Sequence, residues 1–305
     1  MNSSTRLRGV FSPVITPRAD DPRVAAAMLV RHCRWLLDQD VGLAVFGTNS
    51  EANSLSVAER MQLLDALFEA GVPGHRMMPG TGCCALADSV ALTRHAVGHG
   101  AGGVLMLPPF FYKGVSDDGL FASYAEVIEQ VADARLRIYL YHIPQVSQVP
   151  ISLALIERLL HAYPGVIAGI KDSSGDWANT SAMLERFQPQ GFDVFAGSET
   201  FLLATMRAGG AGCITATGNV NPGAIAHLYH TWQQADADAQ QAALTALRET
   251  FMQFPMIPAL KAAVAHFSGD VTYAAVRPPL VRLNALQNTA LLAALQARQF
   301  SMPGL

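Results

Sequence analysis

Val166-Ile-Ala-Gly-Ile-Lys-Asp-Ser-Ser-Gly-Asp176 reads as a strand and the loop that leaves it. The run from Val166 to Ile170 is apolar and β-branched, and a polar, glycine-containing turn follows Lys171 at once. A lysine at that junction has its stem in a low-dielectric core and its amine at the carboxyl end of a strand. Burial disfavours the charged ammonium, so a nucleophilic free amine becomes available there. The same pattern fits a lysine that merely snorkels to solvent, and the segments on either side must separate the two readings.

Those segments alternate between strand and helix patterns. Strands are expected at residues 9–15, 43–46, 77–79, 104–107 and 137–141 upstream, and at 194–196 and 213–216 downstream. Helices are expected from Pro22, after the capping box Ser56-Val-Ala-Glu59, over 86–97, after Ser116, from Ser152, from Trp177, over 200–208 and behind Pro222. With the lysine strand this makes eight β/α units, the count of a (β/α)8 TIM barrel. The barrel is assigned to residues 1–234. Helical patterns at 242–251, 258–267 and 285–298 make residues 235–305 a C-terminal helical region packed on it. A doubly wound sheet is the competing fold, but it usually splits into two lobes and no boundary is visible.

Composition excludes several function classes. Half of the 305 residues are hydrophobic and 15% are charged, and the net charge is −3 with no basic run, which argues against nucleic acid or an anionic membrane as partner. No apolar stretch approaches the ~20 residues of a spanning helix. The N-terminal MNSSTRLRGVF lacks a signal-peptide core, so a cytoplasmic protein is expected. Cys33, Cys83, Cys84 and Cys213 have no framework spacing and are expected as reduced thiols, with the vicinal pair as core fillers. His95 and His99 are four apart near a helix end and read as a complement to the helix dipole, so no metal is expected.

In a barrel of this kind the chemistry sits at the carboxyl ends of the strands. Those ends carry Thr48 and Asn49, Tyr112, Tyr141, Lys171, then Gly197, Ser198 and Glu199, and finally Thr215 and Thr217. One central amine, two phenols and several hydroxyls suit imine chemistry on a small carbonyl acid. The amine attacks the carbonyl, the protonated imine serves as an electron sink, and a positioned tyrosine shuttles protons. Backbone N–H groups and the hydroxyl of Gly47-Thr48-Asn49 are candidates to hold a carboxylate. Glu51 reads as a turn or supporting carboxylate rather than a base.

At this point the chain resembles the dihydrodipicolinate synthase / N-acetylneuraminate lyase family of class I, pyruvate-type aldolases. The resemblance runs from Gly9 to about Leu283. It rests on Gly9-Val-Phe-Ser-Pro-Val-Ile-Thr-Pro17, Gly47-Thr-Asn-Ser-Glu51, Ser54-Leu-Ser-Val-Ala-Glu-Arg60, Gly80-Thr-Gly82, Pro109-Phe-Phe-Tyr112, Tyr141-His-Ile-Pro144, Gly169-Ile-Lys-Asp-Ser-Ser-Gly175 and Arg277-Pro-Pro-Leu280. It implies that Lys171 is the Schiff-base lysine, with no further cofactor, and that Tyr141 is the proton relay and general acid/base. It further implies that Thr48 links the relay and helps hold the pyruvate carboxylate, with Gly47, Asn49, Gly197 and Thr215 lining the substrate. Tyr112 is similar to the tyrosine that reaches a neighbouring subunit's site in family homotetramers, which are dimers of dimers.

Two departures bear on the substrate. Where the synthases carry an arginine for a distal carboxylate, the resemblance puts Val146 of the loop His142-Ile-Pro-Gln-Val-Ser147, with no cation among those residues. Asn49 and Ser50 replace a hydroxyl and a glycine of the family's usual loop, and Asn49 cannot relay a proton as a hydroxyl does. The expected activity is therefore carbon–carbon bond formation or cleavage between pyruvate and an aldehyde. A dehydratase or hydratase of a 2-oxo or 2-keto-3-deoxy sugar acid, using the same imine, is the alternative. True 4-hydroxy-tetrahydrodipicolinate synthase activity and a catalytically silent ligand-binding relative are further readings.

Overall fold

The computed structural model describes residues 6–305. The first five residues, on which the reading of a leaderless N-terminus partly rests, lie outside it. The chain forms two compact units: residues 6–9 with 73–214, and residues 10–72 with 215–305.

The second unit takes β1 (Gly9–Ser12) from its second residue on, then α1 (Pro22–Asp38), β2 (Gly42–Leu43) and α2 (Val57–Glu69). Helix α1 starts as expected, with Pro22 in its first turn and Asp21 accepting a hydrogen bond from the Arg23 N–H at 2.8 Å. Its buried face carries Met28, Leu29, Trp35 and Leu36. Helix α2 opens on the expected box: the Ser56 N–H donates to the Glu59 carboxylate at 2.8 Å, and the Glu59 N–H donates to the Ser56 hydroxyl at 3.2 Å.

The first unit carries α3 (Leu86–Gly98), β3 (Val104–Met106), α4 (Asp117–Val131), β4 (Ile138–His142), α5 (Pro144–Ser147), α6 (Leu153–Ala162), β5 (Ile167–Asp172), α7 (Trp177–Phe187), β6 (Asp193–Ala196), α8 (Leu202–Arg207) and β7 (Gly212–Ile214). Its strands pair in parallel in chain order from β3 to β7. Helices lie between successive strands, the progression expected of β/α units. All of them bury both faces, which is why they read as continuous apolar runs.

The third expected strand, at 77–79, is not a strand. Only isolated bridges form, at Met77 and Gly80; the latter is parallel to Leu105, with Leu105 donating to Pro79 O at 2.8 Å and Thr81 donating to Leu105 O at 2.9 Å. Pro79 has no N–H for a ladder, and so pairing is confined to these few bonds. The β4–β5 ladder also has an irregularity: Ile138 pairs with Ile167 but Tyr139 pairs with Gly169. Ala168 is the extra residue of this bulge, and its carbonyl accepts from the Arg6 guanidinium at 3.0 Å.

The chain ends in the second unit with α9 (Pro222–Thr231), α10 (Ala237–Met252), α11 (Met256–Ser268) and α12 (Ala285–Ala297). Asn219, just ahead of α9, turns into the interior of its unit. Its side chain accepts the Ile15 N–H at 2.9 Å and donates to Pro13 O and Ala216 O. Cys84 is exposed and Cys83 half-buried, so the vicinal pair does not fill a core; all four cysteines are free thiols. No helix among the described residues is long and apolar enough to cross a membrane.

Candidate active site

Strands β4 and β5 bring Lys171 and Tyr141 together. The two residues are register partners, so their side chains leave the sheet on the same face. Each is only 3% exposed, and the Lys171 Nζ lies 4.1 Å from the centroid of the Tyr141 ring. On its other side Lys171 is paired in register with Phe195 of β6. Tyr141 and Phe195 thus flank Lys171 in the sheet, with their side chains on its face. The snorkelling reading of Lys171 does not hold.

The next residue on each strand points to the opposite face, and these two are also matched. His142 Nδ1 and Asp172 Oδ1 are 2.9 Å apart, and both side chains are buried. Asp172 further accepts from the Ser174 N–H and hydroxyl, the Asn179 amide and the Thr180 hydroxyl, the last at 2.7 Å. Burial raises the Asp172 pKa, but the hydrogen bonds from His142, Thr180 and Ser174 together outweigh it and hold the carboxyl below its ordinary value. The sequence reading missed this pair. The signal available was a histidine and an aspartate at the same offset after Tyr141 and Lys171.

Gly197 closes the end of β6 against β5. Its N–H donates to Asp172 O at 2.7 Å, and a Cβ built there would stand 2.6 Å from Ser173 Cα. Close backbone approach accounts for glycine at this position.

The second unit holds the other expected residues. Gly47, Thr48 and Asn49 form part of a tight turn; Gly47 is buried, and Thr48 and Asn49 are half-buried. Ser50 takes the Gly47 N–H on its hydroxyl at 3.1 Å, so it braces the turn from within. Glu51 closes the turn in the left-handed conformation at φ 58°. Its carboxylate is buried against the Lys261 ammonium of α11 and also accepts the Arg277 N–H at 2.5 Å. Lys261 in turn donates to Ala275 O at 2.7 Å. Burial pulls the Lys261 pKa down to about 8 against the opposing pull of Glu51. Glu51 is thus a supporting carboxylate, as read from the sequence. Lys261 was missed, although a lone lysine in the apolar run Pro258-Ala-Leu-Lys-Ala-Ala-Val264 was the signal. Thr215 is buried just beyond β7, and the Arg248 guanidinium donates to its hydroxyl at 3.4 Å.

Tyr112 stands apart from this inventory. It is 73% exposed and packs edge-on against Phe111, with ring centroids 5.3 Å apart. The loop after β4 carries no lysine or arginine among residues 142–147, as read from the sequence. Val146 is exposed there, and Gln145 donates to Ser173 O at 2.5 Å. Lys113, however, reaches in from the preceding β/α loop and donates to Ser147 O at 2.7 Å and to Phe110 O. Residues 142–147 alone could not reveal a cation supplied from 34 positions upstream of Ser147.

The model of the Dihydrodipicolinate synthetase family matches residues 6–298. The chain belongs to that family. An uncharacterized DapA-like lyase of Chloroflexus aurantiacus is 35% identical over 94% of this chain and 95% of its own length. Among solved structures, dihydrodipicolinate synthase from Agrobacterium tumefaciens superposes with a TM-score of 0.84 at 29% identity, covering 95% of this chain and 98% of that one. A prophage protein of the dihydrodipicolinic acid synthase family from E. coli K12, solved in complex with pyruvate, gives a TM-score of 0.84 at 25% identity over 96% of this chain and 99% of that one. The parallel strands, the helices between them and the C-terminal helices match the TIM-barrel-like fold of the dihydrodipicolinate synthetase family, the fold class read from the sequence.

Proposed function

We propose that this chain is a lyase: a Schiff-base aldolase that forms or breaks a carbon–carbon bond between pyruvate and an aldehyde. The observation that carries the reading is the buried Lys171 amine held 4.1 Å from the Tyr141 ring centre at the ends of paired strands. In the condensing direction the Lys171 amine attacks the ketone carbon of pyruvate and water leaves. The protonated imine then loses a methyl proton to give an enamine, whose carbon attacks the aldehyde, and hydrolysis frees the amine. Tyr141 carries protons to and from the carbinolamine. The imine itself is the electron sink, so the reaction calls on no cofactor. On the resemblance, Thr48 with the Gly47 and Asn49 backbone is assigned the carboxylate, and Gly197 and Thr215 the substrate lining.

We assign the protein to the cytoplasm, and its assembly to a homotetramer in which the exposed Phe111–Tyr112 pair is covered by a second copy. Exposed aromatic pairs of this size favour an interface, and light scattering tests the assembly. The test of the chemistry is intact mass with peptide mapping after incubation with pyruvate and borohydride. A reduced pyruvate-sized adduct on Lys171, absent in Lys171→Ala, is the expected result. A folded protein with no adduct would overturn the reading. Release of pyruvate and an aldehyde from a candidate acid separates aldol cleavage from loss of water.

A further inference from the structure

We propose that His142 and Asp172 are positioning residues for the Tyr141–Lys171 centre, acting through the strand ends they tie together. The inference deepens the imine reading and rests on it.

Four observations support it. The last two rungs of the β4–β5 ladder are Tyr141 with Lys171 and His142 with Asp172, so the reacting pair and the buried polar pair are neighbours on opposite faces. The polar pair is joined by a 2.9 Å hydrogen bond between side chains that are 6% and 0% exposed. With Asp172 ionised, His142 donates through Nδ1, which fixes that nitrogen as protonated. Asp172 is in turn gripped by Ser174, Asn179 and Thr180, and so its strand end is tied to the loop and first turn of α7.

The backbone repeats the linkage. Ser173 N–H donates to His142 O at 2.7 Å and Gly197 N–H to Asp172 O at 2.7 Å, so three strand ends share this anchor. Strand ends are where a ladder frays. A charge-assisted bond at the last rung resists fraying, and it holds Lys171 and Tyr141 to one geometry without touching substrate. A hydrophobic pair of equal volume would fill the space but would leave the rotation of both strand ends free.

The test compares His142→Leu with His142→Asn, because an asparagine amide nitrogen occupies the place of Nδ1 and can still donate to Asp172. Thr180→Val is the milder companion, since it removes one donor at nearly constant volume and keeps the question open should His142→Leu not fold. Two readouts are taken on each protein. The first is pyruvate-independent: the rate at which acetic anhydride labels Lys171, mapped by peptide mass, with the exposed Lys113 as internal reference. The second is the rate of borohydride trapping with pyruvate, resolved into kcat-like and KM-like parts.

His142→Leu is expected to slow Lys171 labelling and to lower the maximal trapping rate by about tenfold or more with KM within about twofold, as misplacement of a catalytic group does. Thr180→Val should show a smaller fall of the same kind, and His142→Asn should return to within about threefold of the parent, a hydrogen bond's share being about 1 kcal/mol. Lower melting temperature with both readouts unchanged in His142→Leu, or in Thr180→Val where the former does not fold, would overturn the proposal and leave the pair a fold element only. Should the parent form no adduct, the imine reading fails by itself, and the labelling comparison still decides whether the pair positions Lys171.

Discussion

Gly197 and Asp172 meet backbone to backbone, the N–H of the first on the carbonyl of the second at 2.7 Å. The carbonyl belongs to the residue directly after Lys171. A methyl group at position 197 would lie 2.7 Å from that oxygen and 2.6 Å from Ser173 Cα, both rigid backbone atoms. Gly197→Ala is therefore expected to push the β5 end aside, at a cost of about 1–3 kcal/mol in stability. Pyruvate trapping on Lys171 should slow as well. An unchanged denaturation midpoint would show that the loop after β6 yields without effort.

Tyr141→Phe keeps the ring against which Lys171 rests and removes only the hydroxyl. The fold and the melting temperature should survive, whereas turnover should fall by about 10²–10⁴-fold, the range of a lost general acid or base. Steady-state kinetics on the purified variant decide the matter. Full activity would move the proton relay to another group.

Lys261 and Glu51 lie fully buried, and each is the other's charge partner. Removing one strands the other, so Lys261→Met and Glu51→Gln are each expected to cost about 3–5 kcal/mol. The double variant should cost well less than the sum of the two, since no orphaned charge remains. Urea unfolding of the four proteins of this cycle measures the coupling. Simple additivity would mean that the two charges do not support one another.

His32 is buried, and its Nε2 lies 3.2 Å from Asn219 Oδ1. Burial pushes its pKa from 6.5 down to about 4. The unfolded chain accordingly binds more protons than the folded one between those values, and stability must fall as pH drops through 6.5, levelling off near 4. The contribution is about 3 kcal/mol across that window. Unfolding free energies taken at intervals of pH should show the decline, and His32→Gln should flatten it. An equal slope in the variant would assign the decline to other groups.

Much of this was open to a reader of the sequence, and the exceptions share a cause. The apolar run ending on Lys171, the capping box at Ser56 and Glu59 and the proline at the start of α1 are local signals, and the local structure follows them. Residues 77–79 failed as a strand because an apolar pattern says nothing of the missing proline donor. The pairs His142–Asp172 and Lys261–Glu51 join positions 30 and 210 apart, and Lys113 reaches Ser147 across 34. Such partners are set by tertiary placement, which periodicity does not encode. For the same reason the phenol and the amine could be nominated from strand ends, but not their separation.

The extra residue at Ala168 has a consequence of parity. Were Ala168 taken into the ladder rather than bulged out, the pairing that begins at Ile138 and Ile167 would run on unshifted, and Tyr141 would stand opposite Ile170 while Lys171 stood opposite His142. Partners across a ladder share a face, so the amine would be turned to the histidine's side and away from the phenol. Removing Ala168 altogether would instead leave Tyr139 opposite Gly169 and Tyr141 opposite Lys171, so it is the bulging out of this residue that keeps the reacting pair on one face. Point substitution can tune this centre by degrees, whereas the choice between pairing and bulging at Ala168 decides which side chains share its face.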